Sequence, residues 1–283
     1  MKKIRLLVCD LDNTLYNWVS YFVPSFYSLA QKASEIIQCD IEQLLDDFRS
    51  VHQTHHDSEH PFALLETRTV LETYKGKSRN EIAEILDPAF HIFNKTRKKT
   101  LTSYAEVPST LKYLMSNNIK IVAHTESKLH AVMDRLRRLE LEQYFSSIYC
   151  RERADSKHPD SEAAKRFMTS FPLDKVIELK KHQVKPDPAV LLAICKHEET
   201  PPDKTAYIGD SMARDILMAK NAKVYAIWAK YGAAIDMEQY KKLVRISHWT
   251  SEDVQREIYL KEQAKEIKPD LTVDCFSDLK KIM

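Results

Sequence analysis

The chain has 283 residues, of which 43% are hydrophobic and 30% are charged, and its formal net charge is +2. This composition is ordinary for a globular protein, and the charge gives no basis for binding nucleic acid or an anionic membrane. The three glycines exclude glycine-rich phosphate loops, and the five scattered cysteines argue against a disulfide framework or a cysteine zinc site. With no apolar stretch long enough to span a bilayer, we expect a cytoplasmic protein with no membrane partner.

The first predicted element is an apolar strand, residues 4–9, that runs into the motif DLDNTL. Asp10 and Asp12 lie two residues apart, so an extended chain would point both side chains the same way. Two such carboxylates repel each other unless a cation lies between them, and α/β sheets keep ligand sites at the carboxyl ends of strands. A paired-carboxylate site with a bound metal ion is therefore expected at the end of this strand.

Residues 18–103 are predicted to be helical throughout. Apolar residues recur at helical spacing from Pro24 onward, and Ser78 with Glu81 forms a capping box before a later helix. A helical block of this size directly after a strand predicts a small all-helical domain, residues 18–103. It would be inserted into a core made of residues 1–17 and 104–283.

From residue 104 onward, short apolar strands alternate with amphipathic helices. Strands are predicted at 119–123, 147–150, 205–208, 224–228 and 271–273. This alternation predicts an α/β fold with a parallel sheet covered by helices on both faces. Two polar insertions interrupt the alternation, at 151–183 and 234–268. The first contains a predicted helix at 161–168 and a predicted strand at 176–179. The second contains two charged helices that would form a homodimer face or only cover the sheet.

Three later motifs supply groups that suit a phosphate. The strand 119–123 runs into Thr125 and Glu126, where a hydroxyl and free backbone N–H groups at a strand-to-helix turn suit an anion. Lys185 lies just before a predicted helix and could neutralise carboxylates and a phosphoryl group together. Asp210 and Asp215 follow the strand 205–208 and offer the oxygen ligands that Mg²⁺ prefers.

The motifs DLDNTL, HTES, VKPDP and GDSMARD, in this order, resemble those of the haloacid dehalogenase-like (HAD) hydrolase superfamily. The resemblance covers residues 4–17 and 104–283 and implies a Rossmann-like core with a type-1 helical cap. It implies a Mg²⁺-dependent phosphatase that hydrolyses a small phosphorylated metabolite, of the nucleotide or sugar phosphate type, through an aspartyl-phosphate. Asp12 favours the phosphatase branch, because dehalogenases of this superfamily lack an aspartate at that place.

The resemblance also assigns roles in catalysis and phosphate binding. Asp10 would be the nucleophile that attacks phosphorus. Asp12 would be the general acid for the leaving alcohol and then the base that activates water. Thr125 and the backbone amide of Glu126 would hold the phosphoryl oxygens, and Lys185 would bind phosphate and balance the charge.

The same resemblance implies a Mg²⁺ site. Asp10, the backbone carbonyl of Asp12 and Asp210 would be ligands of the ion. Asp215 would support the ion through water or would orient Lys185. A cap that closes over the site makes a small-molecule phosphoester the expected partner, rather than a protein or a nucleic acid polymer.

Two alternatives use the same fold. A phosphomutase would pass the phosphoryl group to a second hydroxyl, and a non-catalytic member would only bind phosphate or regulate. A histidine cluster in the predicted cap has three interpretations: a transition-metal site, a solvated polar loop, or a group that grips substrate. Its members are His52, His55, His56 and His60, with Asp57 and Glu59 nearby.

Overall fold

The computed structural model describes residues 4–152, 173–234 and 236–281. The helix predicted at 161–168, and with it much of the first polar insertion, lies outside these residues. Among the helices described, none combines the length and the apolar character that crossing a membrane requires.

A single parallel sheet of seven strands forms the centre of the molecule, in the order β4-β3-β2-β1-β5-β6-β7. The strands are β1 Leu6–Cys9, β2 Lys120–Lys128, β3 Ser147–Arg151, β4 Val176–Leu179, β5 Thr205–Gly209, β6 Tyr225–Ala229 and β7 Leu271–Val273. Every neighbouring pair is parallel. The predicted α/β fold is confirmed, and β1 lies in the middle of the sheet.

Helices precede, connect and cover these strands. The α-helices are Trp18–Ile37, Ile41–His55, Arg68–Thr73, Arg79–Ile85, Asp87–Thr100, Val107–Ser116, Leu129–Arg138, Pro188–His197, Leu217–Asn221, Met237–Ile246 and Ser251–Ala264. Short 3₁₀ segments are Ala63–Glu66, Glu142–Tyr144, Leu173–Lys175, Pro202–Lys204, Lys230–Ala233 and Phe276–Lys281. The amphipathic stretch 212–220 predicts an α-helix after the strand 205–208, but the structure has a π-helical turn, Met212–Ile216, followed by a short α-helix.

Each face of the sheet has its own apolar core. Along β1, Leu7 and Cys9 belong to one buried cluster, and Leu6 and Val8 belong to the other. This alternation is the one expected of a strand buried on both faces. The sheet therefore has helices on both sides, as predicted.

The segment between β1 and Val107–Ser116 is helical, as predicted, with its own aromatic packing. Phe26 of the first helix and Phe48 of the second form an edge-to-face pair with ring centroids 4.7 Å apart. This helical insert shares one continuous buried cluster with the Leu7 face of the sheet. The boundaries of a separate domain at 17/18 and 103/104 stay a prediction.

The helix Met237–Ile246 of the second insertion packs on the helical insert. Tyr27 OH donates to the Lys242 carbonyl at 3.1 Å, and His52 Nδ1 lies 2.6 Å from the Ile246 carbonyl. The helix Ser251–Ala264 begins with the capping box that Thr250 and Asp253 predict. The first of these helices therefore joins the insert to the core, a position that neither sequence interpretation included.

Candidate active site

The loop directly after β1 presents a buried carboxylate. Asp10 is 5% exposed, and its Oδ2 accepts a hydrogen bond of 2.9 Å from Thr14 Oγ1. Asn13 adopts the left-handed conformation, with φ of 57°, and its N–H donates to the Tyr16 carbonyl at 2.8 Å. The tight loop therefore holds Asp10 at the carboxyl end of the central strand, where α/β sheets place ligands.

Lys185 supplies a buried positive charge to this position. Its Nζ lies 2.5 Å from Asp10 Oδ1 and 2.8 Å from Asp215 Oδ1. Burial would lower the pKa of Lys185, but Asp10 and Asp215 raise it well above its ordinary value. The structure thus brings together three residues that the sequence placed in separate motifs, with the ammonium between two carboxylates.

Asp215 is held by one side-chain group and one backbone group at the end of β5. It is 1% exposed, and its carboxylate accepts hydrogen bonds from Tyr207 OH at 3.2 Å and from Ser211 N at 3.0 Å. A Cβ atom on Gly209 would overlap the Asp215 side chain. Glycine at 209 is therefore the residue that allows this carboxylate to fold back toward the sheet.

Asp10, Asp210 and Asp215 form a group with oxygen atoms that could hold a cation. One carboxylate oxygen from each lies within 4.8 Å of the others. Burial raises the pKa of Asp10 to about 7, against the lowering effect of Lys185 and with a further rise from Asp215. Burial, then Asp215 and Asp10, raise the pKa of Asp210 well above its usual range. Three clustered carboxylates and one ammonium leave excess negative charge, so this donor set fits Mg²⁺.

The side chain of Asp12 has other partners than this group. Its Oδ2 accepts a hydrogen bond of 2.6 Å from Ser127 Oγ, and its Oδ1 lies 3.5 Å from Arg135 Nη2. Arg135 is 1% exposed, and its Nη1 donates to Glu59 at 2.8 Å and to Tyr21 OH at 2.7 Å. The two aspartates of the first motif therefore lie in different environments. A metal contact through the carbonyl of Asp12 stays a prediction.

Thr125 lies within β2, not after it. The predicted strand ends at Ala123, whereas the observed strand continues to Lys128, so the predicted strand-to-helix turn at Thr125 is wrong. Pairing with β3 shifts register between His124 and Lys128, which interrupts the ladder where Thr125 lies. Such irregularities are common beside active sites. Thr125 is 2% exposed, and its Oγ1 accepts a hydrogen bond of 3.1 Å from Ser127 N.

The Glu126 side chain anchors the segment that carries Lys185. Its carboxylate accepts hydrogen bonds from Lys185 N at 3.1 Å and from Arg214 Nη1 at 2.9 Å. Arg214 also pairs with Glu257 of the second insertion at 2.9 Å. Phosphate binding by the backbone amide of Glu126 stays a prediction, whereas its side chain positions the lysine segment and connects it to the insertion.

The histidines of the predicted cluster lie in two different places in the structure. His55 Nε2 and His60 Nε2 bond to the two oxygens of Glu66 at 2.7 Å and 3.1 Å, and Arg79 pairs with the same carboxylate at 3.3 Å. One nitrogen from each of these two histidines and an oxygen of Glu66 lie within 4.8 Å of one another, which is one candidate ligand set. His52 lies apart from it, against the helix Met237–Ile246.

Sequence reasoning missed several residues that shape the site. Thr14 and Tyr207 bond directly to the buried carboxylates, and Arg135 and Glu59 lie behind Asp12. One signal was present: Arg135 falls among the apolar positions of its helix, and a charge there is rare unless it is paired. Glu59 was named in the sequence only as a neighbour of the histidine cluster, because nothing in its polar loop points to Arg135 or Asp12.

Family comparisons agree with the motifs. A family model described as haloacid dehalogenase-like hydrolase matches residues 4–223, and a second, described as HAD-hydrolase-like, matches residues 183–279. A comparison with curated protein sequences gives no match. The first of these models covers more than half of the chain.

Solved structures share the architecture at low sequence identity. A 2-haloacid dehalogenase from Pseudomonas syringae pv. Tomato is 18% identical, with 98% of this chain and 97% of that chain covered and a TM-score of 0.57. A putative beta-phosphoglucomutase from Thermotoga maritima is 15% identical, with 99% and 100% covered and a TM-score of 0.52. A predicted phosphoglycolate phosphatase from Haemophilus somnus is 18% identical, with 100% and 99% covered and a TM-score of 0.51. At these identities the likeness shows the fold alone.

Proposed function

The chain belongs to the haloacid dehalogenase-like hydrolase family, and on that premise we propose that it is a Mg²⁺-dependent phosphatase for a small phosphorylated metabolite. The observation that carries the proposal is the separation of the two aspartates of the first motif. Asp10 lies against the Lys185 ammonium, and Asp12 lies against the Ser127 hydroxyl and Arg135. Two carboxylates with different surroundings are suited to two different roles in one reaction.

In the proposed reaction, Asp10 Oδ attacks phosphorus, and the bond between phosphorus and the leaving oxygen breaks. Asp12 gives its proton to that oxygen, so the leaving group departs as an alcohol. Asp12 then takes a proton from water as the water attacks the aspartyl-phosphate, which releases inorganic phosphate and restores Asp10. Lys185 and Thr125 hold the phosphoryl oxygens.

Asp10, Asp210 and the carbonyl of Asp12 would hold Mg²⁺, with Asp215 supporting the ion or orienting Lys185. When bound, the ion supplies positive charge that offsets the repulsion between the nucleophile and the phosphoryl oxygens. Asp215 lies 2.8 Å from Lys185 Nζ, which supports an orienting role.

Asp12 also separates the proposed reaction from dehalogenation, in which no leaving alcohol needs a proton. The helical insert supplies Glu59 and Tyr21 to the Arg135 group behind Asp12. An insert that approaches the proton donor this closely favours small substrates, and we propose nucleotides or sugar phosphates.

A substrate screen tests the proposal. Purified protein with Mg²⁺ is incubated with nucleotides, sugar phosphates and 2-haloacids, while release of inorganic phosphate and halide is measured. Phosphate release that stops in excess chelator is the expected result. An isomerised phosphate without release would instead identify a phosphomutase. Failure with every ester would favour a non-catalytic phosphate-binding or regulatory member.

A further inference from the structure

A buried group of polar side chains joins the helical insert to Asp12. Glu59 accepts from Arg135 Nη1 through both carboxylate oxygens at 2.8 Å, and Tyr21 OH donates to Glu59 at 3.0 Å. On the other side of the guanidinium, Nη2 faces Asp12 Oδ1 at 3.5 Å. Within the described parts of the chain, Arg135 Nη2 and Asp12 Oδ1 are both buried without a hydrogen-bond partner. Two unsatisfied atoms of opposite charge therefore face each other beside the proposed proton donor.

A second ion pair holds the same part of the insert on the core. Lys128 Nζ lies 3.2 Å from Asp57 Oδ2, and both side chains are 12% exposed. Asp57 also accepts a hydrogen bond of 2.9 Å from Glu59 N, which fixes the turn that presents the Glu59 carboxylate. The segment Asp57–Glu59 is thus docked by charge against Lys128, just before the helix Leu129–Arg138, and against Arg135 within that helix.

We propose that Arg135 is a positioning residue for Asp12, and that Glu59 holds the guanidinium in the orientation from which it acts. Ser127 fixes one oxygen of Asp12, and the groups beside the rest of this carboxylate are Arg135 Nη2 and the buried hydroxyl of Tyr16, of which only Arg135 carries a charge. Because Glu59 and Tyr21 occupy Nη1, the guanidinium plane presents Nη2 to the other oxygen of Asp12. Proton transfer by Asp12 therefore depends on the docked position of the insert. This inference rests on the proposed phosphatase function.

The test compares two esters that differ in their need for a proton. An alkyl phosphate must protonate its leaving oxygen, whereas p-nitrophenyl phosphate releases a phenolate that is stable without a proton. Arg135→Lys keeps the charge but loses the planar fork. In a reaction with a covalent intermediate, kcat/KM reports the step in which the leaving group departs. We expect kcat/KM for the alkyl phosphate to fall about tenfold or more, within the roughly 10²–10⁴-fold that acid catalysis supplies. The kcat/KM for p-nitrophenyl phosphate should change little, whereas kcat, which includes the activation of water by Asp12, should fall with both esters.

Two further variants distinguish a positioning role of Arg135 from an effect on folding. Glu59→Gln should give the same selective loss, since a neutral amide holds the guanidinium less firmly. Arg138→Gln, on the exposed side of the same helix and paired only with Asp134 among the described contacts, should leave both rates unchanged. If Arg135→Lys does not fold, the double variant Glu59→Gln/Arg135→Met removes both buried charges and is tested in its place.

The outcomes separate the two claims. A loss of kcat/KM that is selective for the alkyl ester supports the positioning role. An equal loss of kcat/KM with both esters, or no loss in any of the folded variants, contradicts it while the phosphatase function stands. If the unaltered protein hydrolyses neither ester nor any member of the metabolite panel, the proposed function itself is wrong, and this inference fails with it.

Discussion

Lys185 Nζ lies 2.5 Å from Asp10 Oδ1, although 175 residues separate them in the chain. The parallel sheet brings them together, because β1 ends at Cys9 beside β5 and the Lys185 segment leads into the helix that precedes β5. Both side chains are almost fully buried. Each charge therefore depends on the other, since an unpaired charge in this place would be costly.

Replacing Lys185 should slow turnover strongly while the chain still folds. Lys185→Met leaves Asp10 and Asp215 without their shared cation, and we expect kcat to fall about 10²–10³-fold, the loss typical of one electrostatic group in an active site. Lys185→Arg should not restore the rate, because a planar fork does not replace a compact ammonium between two carboxylates. Phosphate release and thermal unfolding are measured together. Lys196→Met, on the exposed side of the next helix, is the control, and near-normal activity of Lys185→Met would refute the role.

Removing one carboxylate of the proposed metal group should weaken Mg²⁺ binding. Asp210→Asn keeps the shape of the side chain but removes a charge. The Mg²⁺ concentration for half-maximal activity should rise at least about tenfold, since even outer-shell partners of metal ligands contribute 10–100-fold. Titration of activity with Mg²⁺, and calorimetry of Mg²⁺ binding, measure the change. Asp203→Asn at an exposed position is the control, and an unchanged Mg²⁺ requirement in Asp210→Asn would exclude Asp210 as a ligand.

A methyl group at Gly209 should displace Asp215. The added Cβ would overlap the Asp215 carboxyl group, so the side chain must leave its contacts with Lys185 and Ser211. We expect Gly209→Ala to lower the free energy of unfolding by about 1–3 kcal/mol, as overpacking does, and to lower kcat. Gly76→Ala has open space around it and φ of +92°. It should cost only about 1 kcal/mol of backbone strain, with kcat unchanged. Equal kcat values for the two variants would show that catalysis does not depend on the position of the Asp215 carboxylate.

The contact between the insert and the second insertion should weaken in acid. Burial lowers the pKa of His52 from 6.5 to about 4, against the opposing hydrogen bond to Ile246. Between these two values the unfolded chain binds a proton that the folded chain does not, so stability falls as pH falls from 6.5 toward 4. From pH 7 to pH 5, protonation of His52 in the unfolded chain should lower the free energy of unfolding by about 2 kcal/mol.

Urea unfolding at pH 7 and pH 5 measures this dependence. His52→Asn retains a donor near the Nδ1 position but cannot be protonated, so its stability should change less between the two pH values than that of the unaltered protein. His91→Asn, at a histidine whose side chain is 78% exposed, should show the unaltered change. An identical pH dependence in His52→Asn and the unaltered protein would contradict the assignment.

The fold could be predicted from the sequence because local patterns and global architecture agree. The apolar run of β1 ends at Asp10, the capping box at Thr250 begins a helix, and the helix predicted just after Lys185 is observed as Pro188–His197. The π-helical turn Met212–Ile216 could not be predicted. Its amphipathic pattern is that of an α-helix, and the hydrogen bond from Ser211 to Asp215 is not visible in periodicity.

Only the part of the site that the sequence motifs contribute could be predicted. Asp10, Lys185 and Asp215 meet in the structure because each follows a strand end or precedes a helix in the same sheet. The contact between Arg135 and Glu59 depends instead on how the insert docks on the core. No local pattern specifies that docking, because it arises from packing between segments far apart in the chain.

The most direct test asks which residue carries the phosphoryl group during turnover. Asp12→Asn removes both the acid and the base, so it is mixed with Mg²⁺ and p-nitrophenyl phosphate, whose leaving group needs no proton. The aspartyl-phosphate can then form, while attack by water is slow. The protein is quenched in acid and examined by intact and peptide mass spectrometry. We predict one added phosphoryl group, sensitive to hydroxylamine and located on Asp10, and none on protein that also carries Asp10→Asn. A phosphoryl group on another residue, or near-normal phosphate release by Asp10→Asn alone, would contradict the proposed mechanism.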